Sequence, residues 1–392
     1  MEDWQEIKLG NICEIKYGKD HKKLDNGNIP VYGSGGVIRY VDTYIYDNKS
    51  VLIPRKGTLK NLFFVDEKFW TVDTIFWTKF KNSNVFEKYI YYFLQTQNLE
   101  SYNVGTAVPS LTTSILNELK IKLPPLEEQK AIAKTLSCLD EKIELNNKIN
   151  KNLEEMAQAI FKKWFIDFYY PLTEEEIANG GREFVDSELG KIPKGWEILE
   201  LNKICDINIG KTPPRKEKQC FETIKSENNI NWVSIGDMKN NGIYILNTYE
   251  KLTINAINKY KVKIIPKETI ILSFKLTVGK VGISYDDLTT NEAIAHLNLK
   301  NFILKEYLFF YLKNFNFSIL GSTSSIATAI NSKIIKEMLV LLPNIEFIEK
   351  FSYIVKVYLK EIKYLQLQNE KLKQIRDTLL PKLINGDVRV LY

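Results

Sequence analysis

Residues 123–143 read LPPLEEQKAIAKTLSCLDEKI. Pro124 and Pro125 fix φ at the entry to a helix, and Glu127 and Glu128 place negative charge where a helix N-terminus is partly positive. Apolar residues then recur in steps of four and three: Ile132, Leu136, Leu139, Ile143, then Asn146 and Asn150, then Leu153, Ala157, Ile160 and Trp164. This is a heptad seam sustained over more than four repeats, so a long helix with a helical partner is expected. The partner lies near the end of the chain: Phe351, Val355, Tyr358, Ile362, Leu365, Asn369, Leu372, Arg376 and Leu379. An offset of 219 residues places Asn369 on Asn150 and Leu372 on Leu153. Asn146, Asn150 and Asn369 are expected in or beside the seam, fixing register at a cost in stability. Asn385-Gly386 is a plausible stop for the second helix.

The helix start belongs to a larger repeat. DWQEI (3–7) matches GWEIL (195–199), ICEI (12–15) matches ICDI (204–207), and Gly18-Lys19 matches Gly210-Lys211, all at an offset of 192. YIYYFL (89–94) matches YLFFYL (307–312) at 218, and Leu123-Pro124 matches Leu342-Pro343 at 219. Two copies of one unit follow, the second carrying extra residues in its middle. Each opens with short Val-, Ile- and aromatic-rich runs such as SVLIP (50–54), FWTVDTIFW (69–77) and TIILSF (269–274), the pattern of strands joined by turns. The fold class is α+β: two β-rich domains separated by two long helices that form an antiparallel coiled coil. Duplicated halves of one chain meet about a pseudo-two-fold axis only if their helices run in opposite directions. The boundaries read from the sequence are 1–122, a helix over 123–170, a linker over 171–190, a second head over 191–342 and a distal helix over 343–392. This stretch begins PLTEEEIANGGREF and is read as a linker or an extended connection.

Composition narrows the function classes. The 392 residues carry 54 Lys and Arg against 48 Asp and Glu, a mildly basic balance that permits nucleic-acid binding without demanding it. Four cysteines without a Cys-x-x-Cys pair and two histidines give poor support for zinc. The polar start MEDWQEIKLG is no signal peptide, and no window of about 18 apolar residues suits a membrane span, so a cytoplasmic chain is expected. Gly279-Lys280-Val281 lacks the spacing and hydroxyl of a phosphate-binding loop, and Gly33-Ser34-Gly35-Gly36 reads as a turn. Glu14-Ile15-Lys16 and Glu361-Ile362-Lys363 fit a Glu-x-Lys nuclease triplet but lack a preceding Pro-Asp. His21 and His296 are read as a surface and a packed residue. The chain is expected to catalyse nothing by itself.

Loops with donors for phosphates and base edges are a different matter. PRKGTLK (54–60) offers Arg55, Lys56, Thr58 and Lys60, and NVGTAVPS (103–110) offers Thr106 and Ser110. Lys19 lies in a third basic loop. In the second copy GKTPPRKEK (210–218) carries Lys211, Thr212, Arg215 and Lys216, FKLTVGK (274–280) carries Lys275 and Lys280, and GSTSS (321–325) carries Ser322 and Thr323. Each alone reads as a solvated turn. Their recurrence at equivalent places favours two reading heads held on paired helices.

Four stretches, IKLPPLEEQKAIA (121–133), LDEKI (139–143), GKIPKGW (190–196) and LLPKLINGDV (379–388), resemble the specificity subunit of a type I restriction–modification system. The resemblance covers essentially the whole chain, although the distal copy departs from the motif at the positions matching Pro125 and Gln129. It implies a non-catalytic subunit with two target-recognition domains, each reading one half of an asymmetric bipartite sequence in double-stranded DNA. It further implies two adenine-methylating modification subunits and motor–nuclease restriction subunits as partners. S-adenosylmethionine, ATP and magnesium would belong to those partners, with no cofactor or metal on this chain. The helices then act as a ruler, at about 1.5 Å per residue. A coiled-coil scaffold with two β-rich binding heads and no DNA role is the competing reading, favoured by the modest charge. A nuclease in its own right needs a carboxylate cluster that the sequence does not offer.

Overall fold

The structure, a computed structural model, describes residues 4–105, 108–320 and 330–390. It divides into two compact units, Met1–Glu144 with Glu370–Tyr392, and Leu145–Asn369. In chain order the first head comprises β1 (Gln5–Lys8), α1 (Leu9–Ile12), β2 (Cys13–Tyr17), β3 (Ile29–Gly33), β4 (Gly36–Val41), β5 (Ser50–Pro54), β6 (Phe63–Val65), β7 (Trp70–Thr71) and β8 (Ile75–Phe80). It closes with α2 (Glu87–Thr96), α3 (Thr113–Asn117) and β9 (Lys120–Leu123), and α4 (Leu126–Phe161) follows. Next come α5 (Glu174–Ala178), β10 (Phe184–Ser187) and β11 (Gly190–Pro193). The second head runs β12 (Glu197–Glu200), α6 (Leu201–Ile204), β13 (Cys205–Ile209), β14 (Phe221–Glu222), β15 (Asn229–Val233), α7 (Ile235–Asn240), β16 (Tyr244–Ile245), β17 (Lys251–Thr253) and α8 (Ile254–Tyr260). It ends with β18 (Ile270–Ser273), β19 (Val281–Ser284), β20 (Thr289–Thr290), β21 (Ile294–Leu299), α9 (Lys305–Asn314), α10 (Ser332–Lys336) and β22 (Leu339–Leu342), before α11 (Ile345–Asn385).

Among the described residues, the main sheet of the first head has the order β2-β8-β5-β6. The second repeats it as β13-β21-β18-β19 and adds β16 at the edge. The central strands β5 and β18 are buried on both faces, which is why they read as continuous apolar runs. On β5, Val51 and Ile53 face the core under α2 while Leu52 faces a second core with Ile75 and Trp77. On β18, Ile270 and Leu272 face the larger core and Ile271 faces the other. The smaller sheets also correspond. β3 pairs parallel with β7 through Val31–Trp70 and Tyr32–Thr71, and β15 pairs parallel with β20 through Trp232–Thr289 and Val233–Thr290.

The repeat extends to single hydrogen bonds. Leu9 N–H donates to Leu119 O and Leu201 N–H to Met338 O, both at 2.8 Å. The Cys13 and Cys205 thiols donate to the carbonyls of Leu9 and Leu201. The Tyr89 hydroxyl donates to Lys122 O, and Tyr307 to Leu341 O. Polar groups inside a core need such partners, which explains why a tyrosine opens each matched aromatic run.

The two long helices run antiparallel within each unit. In the first, Ile132, Ala133 and Leu136 share a core with Leu380, Leu383 and Ile384, and Asp140 pairs with Arg376 at 2.8 Å. In the second, Asn146 meets Asn369, while Phe161 packs on Phe351 with ring centroids 5.8 Å apart. Ile143, Val355, Ile362 and Leu365 are buried, and Leu139, Asn150, Leu153, Tyr358 and Leu372 are half-buried. α4 ends in a wider turn over Lys162–Ile166.

Of the two readings of the 171–190 segment, a linker or an extended connection, the second does not hold, because the segment carries a short helix and the start of a hairpin. Thr173 and Glu176 close a reciprocal cap on α5, and β10 and β11 form a hairpin. Arg182 organises it: the guanidinium pairs with Glu176, donates to the carbonyls of Phe168 and Tyr170, and lies 3.3 Å from the Tyr170 ring centroid. One arginine ties the end of the long helix to the short helix and the hairpin, and charge composition alone does not reveal that.

Candidate nucleic-acid interface

In the main sheet of each head the first and third strands run the same way, so the loops after them and the loop before the second strand share one end. In the first head these are the loops carrying Lys19, Arg55 and Lys56, and the turn before β8. Gly18 N–H donates to Ile75 O and Lys19 N–H to Thr71 O. A Cβ on Gly18 would lie 2.0 Å from Val72 O, so only glycine permits this approach. Arg55 N–H and Lys56 N–H both reach Thr74 O. Gly57 N–H donates to Pro109 O, and Lys56 bridges to Ser110. The 54–60 and 103–110 loops, about fifty residues apart, are therefore one surface. Asn103 builds its second half, its carboxamide oxygen accepting from Gly105 N–H at 2.8 Å and Ser110 N–H at 2.7 Å.

The second head repeats the arrangement. Gly210 N–H donates to Ile294 O, Lys211 N–H to Thr290 O, and Phe274 N–H to Ala293 O. Trp70 Nε1 donates to Lys19 O at 3.0 Å, and Trp232 Nε1 donates to Lys211 O at 3.2 Å. The two tryptophans come from opposite strands of the equivalent parallel pairs, a swap invisible to sequence alignment. Thr212 donates to Glu292. Burial raises the Glu292 carboxyl, but that hydroxyl, a backbone N–H and the charges of Lys275 and Arg215 together hold it below its ordinary range.

The candidate cations divide by what their heads already bind. Lys19, Lys56, Lys216, Lys275 and Lys280 are exposed and make no ion pair among the described residues. Thr58 is exposed and Ser110 half-buried. The others have internal partners. Arg55 donates to Asp73 O and lies 5.2 Å from the Tyr17 ring centroid. Lys60 pairs with Glu100 at 3.0 Å. Lys211 donates to Tyr260 O at 2.7 Å. Arg215 makes two bonds of 2.8 Å to Glu250 and stacks near Phe221 and Trp232. Thr106, Ser322 and Thr323 lie outside the described residues.

The LPPLEEQ motif holds residues whose role the sequence reading missed. Glu128 is fully buried and accepts from Trp4 Nε1 at 3.1 Å and from both Arg389 Nε and Nη2. Gln129 accepts from Phe86 N–H and donates to the carbonyls of Asn84 and Pro124. These side chains join head, helix start and chain end. In the distal copy their places are taken by buried Phe347 and Ile348, and Phe347 lies 4.2 Å from Tyr170 between ring centroids. The distal departure from the motif is thus an exchange of a polar junction for an apolar one.

Two duplicated heads, each with its loops gathered at one sheet end, match a known architecture. The family description "Type I restriction modification DNA specificity domain" fits residues 1–155 and 193–374. The chain belongs to the type I restriction–modification specificity family. The MjaIX specificity subunit of Methanocaldococcus jannaschii is 32% identical over 318 residues, covering 78% of this chain and 70% of that one. The HindI specificity subunit of Haemophilus influenzae is 25% identical over 469 residues, covering 99% and 100%. The crystal structure of a type I S subunit from M. genitalium shares the fold, with TM-score 0.58, 17% identity, and coverage of 97% of this chain and 96% of that one. As a type I specificity subunit the chain has mixed α and β structure with long paired helices. No helix among its described residues is long and apolar enough to cross a membrane.

Proposed function

We propose that this chain is the non-catalytic DNA-reading subunit of a type I complex, each head reading one half of an asymmetric bipartite target in double-stranded DNA. The observation that carries this is the pairing of a common sheet core with unlike loops. Gly18-Lys19 and Gly210-Lys211 sit on the same hydrogen bonds in the two heads, while the side chains beyond them differ. Each base pair contributes about 1–3 kcal/mol of discrimination, so one half-site is too common to be specific, and two at fixed spacing multiply their selectivity. The helices set that spacing and recruit two adenine-methylating subunits, to which motor–nuclease subunits add. S-adenosylmethionine, ATP and magnesium act on those partners, and the assembled complex works in the cytoplasm.

Methylome sequencing of cells carrying engineered versions tests this. Inserting one heptad in both helices adds about 10 Å of helix and should change the spacer by about three base pairs with the half-sites unaltered. Exchanging one head should change one half-site and leave the spacer. The opposite pattern refutes the ruler. A scaffold without a DNA role draws support from the pairing of Lys60 with Glu100 and of Arg215 with Glu250, which offsets two charges of the loops, while Lys211 is tied to a backbone carbonyl. Mobility shift with duplex DNA, with and without the modification subunit, separates the two readings: the scaffold leaves the duplex unshifted.

A further inference from the structure

The strand registers align the two basic loops residue by residue. On β5 and β8, Leu52, Ile53 and Pro54 stand opposite Trp77, Phe76 and Ile75. On β18 and β21, Ile271, Leu272 and Ser273 stand opposite His296, Ala295 and Ile294. Carried three residues on, this places Gly57 on Leu276. Gly57 has φ +88° and Leu276 has φ +63°. Both positions thus carry a left-handed residue, although the hydrogen bonds that close the two loops differ. The first head supplies glycine, the residue that meets the need without strain, while the second supplies a branched apolar side chain that rarely adopts this conformation.

Among the described residues, none uses that side chain. Leu276 is 93% exposed. The backbone beneath it is nevertheless tied down by hydrogen bonds. Ser273, fully buried, donates its N–H to Lys280 O and accepts from Gly279 N–H, both at 2.9 Å. Its hydroxyl donates to Thr277 O at 2.6 Å and accepts from Lys280 N–H at 2.9 Å. Thr277 N–H closes the tip onto Lys275 O at 2.8 Å, a three-residue turn centred on Leu276. Lys275 and Lys280 flank the tip, both exposed and without an ion pair among the described residues. An apolar point on a strained, braced turn between two cations suits a polyanion whose stacked bases offer an apolar slot. Side chains of this kind enter between base steps and unstack them.

We propose that Leu276 is a DNA wedge: it enters the half-site read by the second head and unstacks one base step, while Lys275 and Lys280 hold the flanking phosphates. This rests on the DNA-reading function proposed above. The first head, with Gly57 at the same place, has no such wedge.

The test uses the full chain with its modification subunit and a duplex of the target mapped by methylome sequencing, with 2-aminopurine stepped through both half-sites. Leu276→Ala removes the wedge, and Leu276→Gly installs the residue that the first head uses. The expected result is a fluorescence rise at one step of the second half-site that both variants abolish, with affinity about tenfold weaker. The melting temperature of Leu276→Gly stays unchanged or rises, since glycine relieves the turn. Fluorescence from a target adenine exposed for methylation persists in both variants and is thereby told apart. Wild-type unstacking and affinity in the variants overturn the wedge and leave the DNA-reading function standing, as does a wild-type complex with no fluorescent step there. Variants that bind DNA normally but lose the modification subunit transfer Leu276 to a protein contact and also overturn it. A wild-type complex that binds no duplex overturns the DNA-reading function itself.

Discussion

Replacing Asn146 by leucine should weaken the helix seam, and replacing Asn369 as well should restore it. Asn146 is fully buried and donates to Asn369 Oδ1 at 2.8 Å and Gln368 Oε1 at 2.7 Å. Asn369 in turn donates to Asn147 Oδ1 at 2.9 Å. Asn146→Leu removes two bonds of about 1 kcal/mol each and leaves the buried Asn369 oxygen without a partner, a further cost of about 1–3 kcal/mol. The apolar side chain returns about 1–2 kcal/mol by burial, so the local loss is on the order of 2 kcal/mol. In the double variant the polar pair gives way to an apolar contact, while Asn147 is exposed and Gln368 half-buried, so their freed groups reach water. That variant should match or exceed the wild type, as apolar replacements of buried polar pairs do, at the expense of register. Two compact units make a single unfolding free energy ill-defined, so amide exchange of the helix residues around 146 and 369 is the measurement. The single variant should exchange roughly 30-fold faster there. A double variant that loses as much as the two singles combined would refute the reasoning, because it would show that the asparagines do not act on one another.

Glu128→Ala should destabilise the first unit by about 2–3 kcal/mol and shift Trp4 fluorescence to the red; the half-exposed Arg389 finds water, which limits the loss. Lys19→Ala, Lys56→Ala, Lys275→Ala and Lys280→Ala should each weaken duplex binding and lower the salt slope by about 0.9 for each phosphate no longer neutralised. Arg215→Ala should mainly lower the melting temperature, since its guanidinium is held by Glu250. Burial, with a lesser push from Lys263, lowers His296 to about 4. The unfolded imidazole takes its proton near pH 6.5, so stability is full above that pH and declines as pH falls toward 4, by on the order of 3 kcal/mol. His296→Gln should flatten that slope in pH-dependent denaturation.

The amino-acid sequence by itself determined the elements that depend on local pattern and repetition. The heptad seam marks α4 and α11, the 192 and 219 offsets mark two copies of one head, and the runs Glu87–Thr96 and Lys305–Asn314 mark the helices closing each. Period, propensity and internal similarity are written in consecutive residues, so they need no coordinates. The tertiary structure alone decided which charges remain available. Lys56 and Lys60 are four apart in one basic loop and both exposed, yet Lys60 pairs with Glu100 while Lys56, beside Ser110, makes no ion pair among the described residues. Partners forty to a few hundred residues distant make that difference, as Arg389 does for Glu128. The left-handed turn at Leu276 belongs to the same class. In the sequence it is one leucine among lysines, and only the strand register that sets it on Gly57 reveals a backbone conformation at odds with its side chain.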